Sequence, residues 1–189
     1  CPDLFELPVD GQPGETRWVF WGANGTYALG HFDGETFEQD DAAQRYDWGG
    51  NSYAAQTWSG IPGSDGRRIQ IAWLRVSLPG MPFNQQMTFP CELSLRSTPE
   101  GIRLASRPVR EIRALHEHTH VWREMVLRPG ENWLSDIKGE LFDIQAEFQV
   151  ASAQQFGFYV RGIPVLYDGH RGQLVCGGAA APLPAIEGH

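Results

Sequence analysis

A chain of 189 residues has room for one large domain or two small ones, and its formal charge of -8 includes no cluster of Lys and Arg. That excludes a phosphate-gripping nucleic-acid surface and electrostatic attachment to an anionic membrane face. Seven Trp, ten Phe and five Tyr, in a sequence broken every few positions by 22 Gly and 13 Pro, predict an all-β fold rich in turns.

The first strong local signal is an apolar run at 17–23, then Asn24-Gly25, a second run at 26–32, then Asp33-Gly34 before Glu35-Thr36-Phe37. Asn-Gly and Asp-Gly supply the positive φ of type I′ turns, so a three-stranded meander with two tight hairpins is expected. Two further strands, 52–58 and 68–74, are joined by a loop carrying Pro62, Gly63, Asp65 and Gly66. A hairpin follows at 87–95 and 101–105. Pro108 at a first helical position, with Val109, Ile112 and Leu115 on one face, predicts a short linker helix. Beyond it, 120–127, 141–150, 156–162, 165–167 and 173–176 read as short strands, and 141–150 alternates between an apolar and a polar face as a sandwich strand would. Residues 179–189 read as a tail or an interrupted connection.

Cys1, Cys91 and Cys176 are odd in number and far apart, without zinc-site pairing or disulfide-scaffold density, and read as free thiols. No apolar run approaches the ~18 residues of a membrane helix, and no signal peptide opens the chain. The abrupt start at Cys1, without Met, predicts a processed or truncated product. It leaves the parent's compartment open, a secreted or periplasmic parent included.

Four stretches in one order then narrow the reading: Asp47-Trp48-Gly49-Gly50-Asn51-Ser52-Tyr53-Ala54-Ala55-Gln56-Thr57, Asp65-Gly66-Arg67-Arg68-Ile69-Gln70-Ile71-Ala72-Trp73, Met81-Pro82-Phe83-Asn84-Gln85-Gln86-Met87-Thr88, and Phe89-Pro90-Cys91-Glu92-Leu93-Ser94-Leu95. Together they resemble glycoside hydrolase family 32, the invertases, levanases and inulinases. Cys1-Pro2-Asp3-Leu4-Phe5 looks like the segment that directly follows this family's acid/base glutamate, and weaker similarity continues through Gly139-Glu140-Leu141-Phe142 and Phe156-Gly157-Phe158-Tyr159. The resemblance implies late blades of a five-bladed β-propeller at 1–108, a linker helix at 109–118, and at 119–189 an incomplete β-sandwich whose closing strands are absent after His189. It also implies a glutamate encoded immediately before Cys1.

Retaining glycoside hydrolysis needs one carboxylate as nucleophile and a second carboxyl group about 5–5.5 Å away to protonate the leaving oxygen. The family's nucleophile box and its stabilising aspartate are both missing here, and no catalytic residue is assigned within the chain. The expected substrate is a terminal β-fructofuranosyl unit of levan, inulin or sucrose, with no cofactor and with the isolated fragment inactive. By motif match, Tyr53, Trp73, Asp47 and Asn51 belong to the fructosyl pocket wall. An aromatic face suits the apolar face of a sugar. Their bland readings are core positions for Tyr53 and Trp73 and turn residues for Asp47 and Asn51, the latter standing where many bacterial relatives carry aspartate.

His116, His118 and His120 alternate as strand ligands of zinc would, but the helix-to-strand junction breaks that geometry, and no metal is assigned. Cys91 beside Glu92 has no histidine partner for a nucleophile. The competing functions are a non-catalytic fructan-binding or interaction module and a gene remnant without activity. Open blade edges predict self-association.

Overall fold

A computed structural model describes residues 1–183 and places strands in two separate sheets. Its only helix among those residues is a short 3-10 turn, so the fold is all-β as expected. No described helix is long and apolar enough to cross a membrane.

The larger, ten-stranded sheet begins with β1 (Asp3–Val9), β2 (Gln12–Trp21), β3 (Thr26–Phe32) and β4 (Phe37–Gln39), each antiparallel to the next. The expected meander is therefore present, but it starts one strand earlier than the sequence signal suggested. The turn that opens it is Asp10-Gly11, with φ of 51° and 72°, the two left-handed residues in succession that a type I′ hairpin needs. At Asn24-Gly25 and Asp33-Gly34, by contrast, the glycine alone is left-handed. The Asn24 and Asp33 side chains instead accept hydrogen bonds from the main chain two or three residues on. These Asx turns replace the expected type I′ geometry because a short polar side chain can stand in for a backbone acceptor.

The second half of this sheet comprises β5 (Gln44–Arg45), β6 (Ser52–Thr57), β7 (Arg68–Leu74), β8 (Gln86–Met87), β9 (Cys91–Thr98) and β10 (Gly101–Pro108). β7 spans the residues expected of it, whereas the hairpin expected at 87–105 is β9 with β10, and Met87 belongs to a separate short strand against Trp73. The two halves join at one edge of β9, which pairs antiparallel with β7 at Cys91, Glu92 and Leu93 and then parallel with β1 at Val9↔Leu95. Around this seam lies the core: Phe5, Leu7, Val9, Val19, Trp21, Tyr27, Leu29, Leu93, Leu95 and Leu104, with Ala55 and Ala72. Alternation along β1 explains half of it, since Phe5, Leu7 and Val9 are buried while Glu6 and Pro8 are exposed.

The linker helix is 3-10 rather than α, covers Arg110–Leu115, and Pro108 ends β10 instead of starting it. The spacing of Val109, Ile112 and Leu115 is three, the period at which 3-10 side chains eclipse, so the same pattern fits the tighter helix better. Val109 is buried and Leu115 is exposed. Arg67 holds the helix to the β6–β7 loop by gripping Asp65 and Glu111 with paired bonds of 2.5 to 3.0 Å.

The smaller sheet is an antiparallel meander of β11 (Gln155–Val160), β12 (Ile163–Asp168), β13 (Gln173–Cys176) and β14 (Ala179–Pro182). β14 falls where a tail or interrupted connection was expected, and the rest of that stretch, 184–189, lies outside the described residues. The strands expected at 120–127 and 141–150 do not form: both segments lack ladder pairing. Leu141 is 90% exposed, and Ile144, Phe148 and Val150 are also exposed. Alternation specifies which face a strand would bury but supplies no edge to pair with, and an extended segment without a partner satisfies its backbone in water.

Candidate substrate-binding site

β6 and β7 pair Tyr53 directly with Trp73. Their rings meet edge-on at 6.3 Å between centroids, and each side chain is 38% exposed. The opposite face of the same two strands carries the buried Ala55 and Ala72, so the sheet packs inward through small residues and presents its aromatics outward. Neither ring belongs to the buried core of the described residues. The Arg75 guanidinium sits 4.8 Å from the Tyr53 ring centroid and donates to the Gly50 carbonyl at 3.2 Å. The Arg75 amide donates to the Asn51 carbonyl at 2.8 Å. One arginine thus ties the glycine-rich loop to the aromatic pair, by cation–π contact and by hydrogen bonds.

Asp47 occupies the turn expected of it. Its Oδ1 accepts from the Gly49 amide at 2.8 Å, and its own amide donates to the Gly25 carbonyl at 3.2 Å. Gly25 has φ 78°, and a Cβ there would lie 2.7 Å from the Asp47 Cβ, so only glycine allows this approach. Asp47 lines an open cleft of about 550 Å³ with Tyr27, Arg45, Tyr46, Trp48 and Ser52, and the Arg45 guanidinium lies 4.8 Å over Trp48. Tyr53 and Trp73 stand outside that cleft. The structure therefore joins Tyr53 to Trp73, places Asp47 in a neighbouring depression, and leaves the Asn51 side chain exposed on the loop between them.

Several carboxylates of the large sheet and its loops are engaged by structural partners. Asp3 Oδ2 accepts from the Thr57 amide and hydroxyl, both at 2.8 Å. Arg67 bonds hold Asp65 and Glu111 below the usual carboxylate range, the Thr36 and Glu35 amides do the same for Asp33, and Ser97 does so for Asp10. A general acid near neutral pH needs the opposite shift. Burial pushes the Cys91 thiol up, away from thiolate chemistry, and all three cysteines are free. His116 Nε2 lies 3.0 Å from Asp143 Oδ2, and no three His, Cys, Asp or Glu side chains gather as a metal set among the described residues.

Residues 1–108 match the family model for the glycosyl hydrolases family 32 N-terminal domain. The chain belongs to glycosyl hydrolase family 32. Across 85% of its length this family 32 chain is 35% identical to a levanase of Bacillus subtilis (strain 168) and 32% identical to a levanase of Bacillus sp. (strain L7). It is 29% identical over 57% of its length to an extracellular exo-inulinase of Aspergillus niger. It spans 27%, 20% and 24% of those three relatives, about a quarter of their length.

Sequence reasoning missed Arg75, Gln56 and Asp3 as contributors to this family 32 surface. Arg75 follows the Trp73 strand by two residues, so its place near the pair was open to inference. Gln56 and Asp3 reach each other's neighbourhood across 54 and 55 residues of chain, which no local pattern encodes.

Proposed function

We propose that this chain is part of a retaining β-fructosidase acting on terminal β-fructofuranosyl units of levan, inulin or sucrose. Tyr53, Trp73, Asp47 and Asn51 form one wall of its fructosyl pocket, and both catalytic carboxylates lie in the portion of the family 32 domain outside residues 1–189. The observation that carries the reading is the outward-facing Tyr53–Trp73 pair on a family 32 sheet, braced by Arg75. Two exposed aromatic rings on neighbouring strands offer an apolar platform for a sugar ring and a phenolic tip for a hydroxyl. Within the described residues, the carboxylates bonded to Arg67, Thr57 and main-chain amides have structural partners rather than an open pocket to serve.

The test compares residues 1–189 with the full-length protein that contains them. The full-length protein is expected to release fructose from at least one of the three substrates, and residues 1–189 alone none. In the full-length protein Trp73→Ala lowers kcat/KM about tenfold by loosening sugar positioning. Fructose release by residues 1–189, abolished by a substitution within them, would place the carboxylates inside this chain. Calorimetric binding of levan by a full-length protein that releases no fructose makes the surface a binding module instead.

A further inference from the structure

β6 contains an extra residue. Its register with β7 runs Ser52↔Leu74 and Tyr53↔Trp73, then resumes at Gln56↔Ile71 and Thr57↔Gln70, so two β6 residues, Ala54 and Ala55, stand opposite Ala72 alone. Ala54 sits at φ 51°, a left-handed conformation that costs an L-residue, and its amide is held by the Ala23 carbonyl at 3.0 Å. In an unbroken strand, residues 53 and 56 would point to opposite faces. The bulge places both on the outer face, with Tyr53 and Gln56 exposed and Ala55 buried behind them.

On that outer face the Gln56 carboxamide reaches the Cys1 carbonyl at 3.4 Å and the Pro2 carbonyl at 3.3 Å, and its own Ala55 carbonyl at 3.2 Å. Its next neighbour completes the grip, because the Thr57 amide and hydroxyl both donate to Asp3 Oδ2. Arg68 steadies the same corner, donating to Thr57 Oγ1 at 3.4 Å and lying 5.0 Å over the Phe5 ring. Two consecutive residues of β6 thus hold three consecutive residues of the chain start, on the strand that carries Tyr53.

We infer that Gln56 and Asp3 are positioning residues that fix the Cys1-Pro2 main chain, and with it the proton donor joined to Cys1, at a set distance from the Tyr53–Trp73 platform. This rests on the β-fructosidase reading above and on the likeness of Cys1-Pro2-Asp3-Leu4-Phe5 to the segment that follows the family's acid/base glutamate. The bulge at Ala54 is the device that makes it work: removing one residue there would turn Gln56 inward and release Cys1 and Pro2. Proton donation loses rate steeply when the donor is displaced, while sugar binding through the aromatic pair does not depend on it.

The test uses the full-length protein with Gln56→Ala, Gln56→Glu, Gln56→Lys and Asp3→Ala. Each is assayed on inulin, whose leaving group needs protonation, and on an aryl β-fructofuranoside, whose leaving group does not. Gln56→Ala, Gln56→Glu and Asp3→Ala are expected to lower kcat/KM on inulin about 10- to 100-fold and to leave kcat/KM on the aryl substrate nearly unchanged, because kcat/KM reports glycosylation, before the same group acts as base in deglycosylation. Gln56→Glu has the size of glutamine but no donor, whereas Gln56→Lys restores donors to both carbonyls and recovers most of the inulin rate. Equal losses on both substrates, following a drop in thermal midpoint, would reduce the clamp to a folding contact and overturn the inference, as would unchanged rates on inulin. A wild-type protein that releases no fructose defeats the β-fructosidase reading itself, and the inference with it.

Discussion

Residues 1–109 and residues 116–183 have similar apolar patterning and opposite outcomes. Among the described residues every buried side chain lies in the first region, from Phe5 to Val109. In the second, the four-stranded sheet has residues such as Phe156, Phe158 and Leu166 only half covered, with the Phe148 ring tilted against Phe156 at 4.7 Å between centroids. The difference lies in edges. β9 offers one edge to two partners and the other to β10, so three strands gather around Leu93 and Leu95. No segment of 116–154 meets such an edge. Apolar alternation is therefore a potential for burial that only a paired neighbour realises.

The largest effect that could break this comparison is at the seam. Leu95 has no exposed surface, and Leu95→Ala should destabilise residues 1–109 by about 2–5 kcal/mol in urea unfolding followed by tryptophan fluorescence. A loss under about 1 kcal/mol would mean the two halves of the large sheet are not one cooperative unit. Next comes Tyr27→Phe. The Tyr27 hydroxyl accepts from the buried Leu104 amide at 3.0 Å and donates to Gln44 Oε1 at 2.7 Å, so its removal orphans a buried donor and should cost about 1–3 kcal/mol. Amide exchange at Leu104 should rise in parallel. The matched truncation in the other region, Ile144→Ala, should change stability by no more than about 0.5 kcal/mol because Ile144 is already exposed. A cost comparable to that of Leu95→Ala would show that 141–150 has a buried face.

The smallest expected effect is on pH dependence, and it sharpens the contrast because the depressed carboxyls cluster at or before Glu111. Asp65 and Glu111 are held down by Arg67, Asp33 by the Thr36 and Glu35 amides, and Asp10 by Ser97. Their folded forms bind protons less readily than the unfolded chain. Their contribution is therefore present above the ordinary carboxyl range and lost as pH falls through the folded values. The urea midpoint of the large sheet should be flat from pH 7 to about 5 and decline below about 4, modestly, since these groups are exposed. A midpoint that rises on acidification would reverse the sign.

Much of the large sheet could be read from residue types. β7 and β13 fall on the stretches expected of them, and Asn-Gly and Asp-Gly mark two turns, while Asp10-Gly11 carries the same signal and opens the meander at β1. The spacing at Val109, Ile112 and Leu115 revealed a helix but not its pitch. At the candidate site, the placing of Tyr53 and Trp73 on adjacent strands was legible, because strands at 52–58 and 68–74 joined by one loop were expected there. The bulge at Ala54 was not, since two alanines in sequence carry no signal for a left-handed backbone. The contacts of Asp3 with Thr57 and of Gln56 with Cys1 depend on tertiary closure alone.

The lone parallel contact between Val9 and Leu95 also sets a schedule. Asp10 accepts the Ser97 amide across 87 residues, so the outer edge of β1 has no partner until β9 has been made. At a ribosomal rate of about 5–20 residues per second, the β1–β4 meander, complete at Gln39, stands ready for roughly 3–12 seconds with that edge bare. Until the seam closes, that edge presents unpaired N–H and C=O groups to which another extended chain can add.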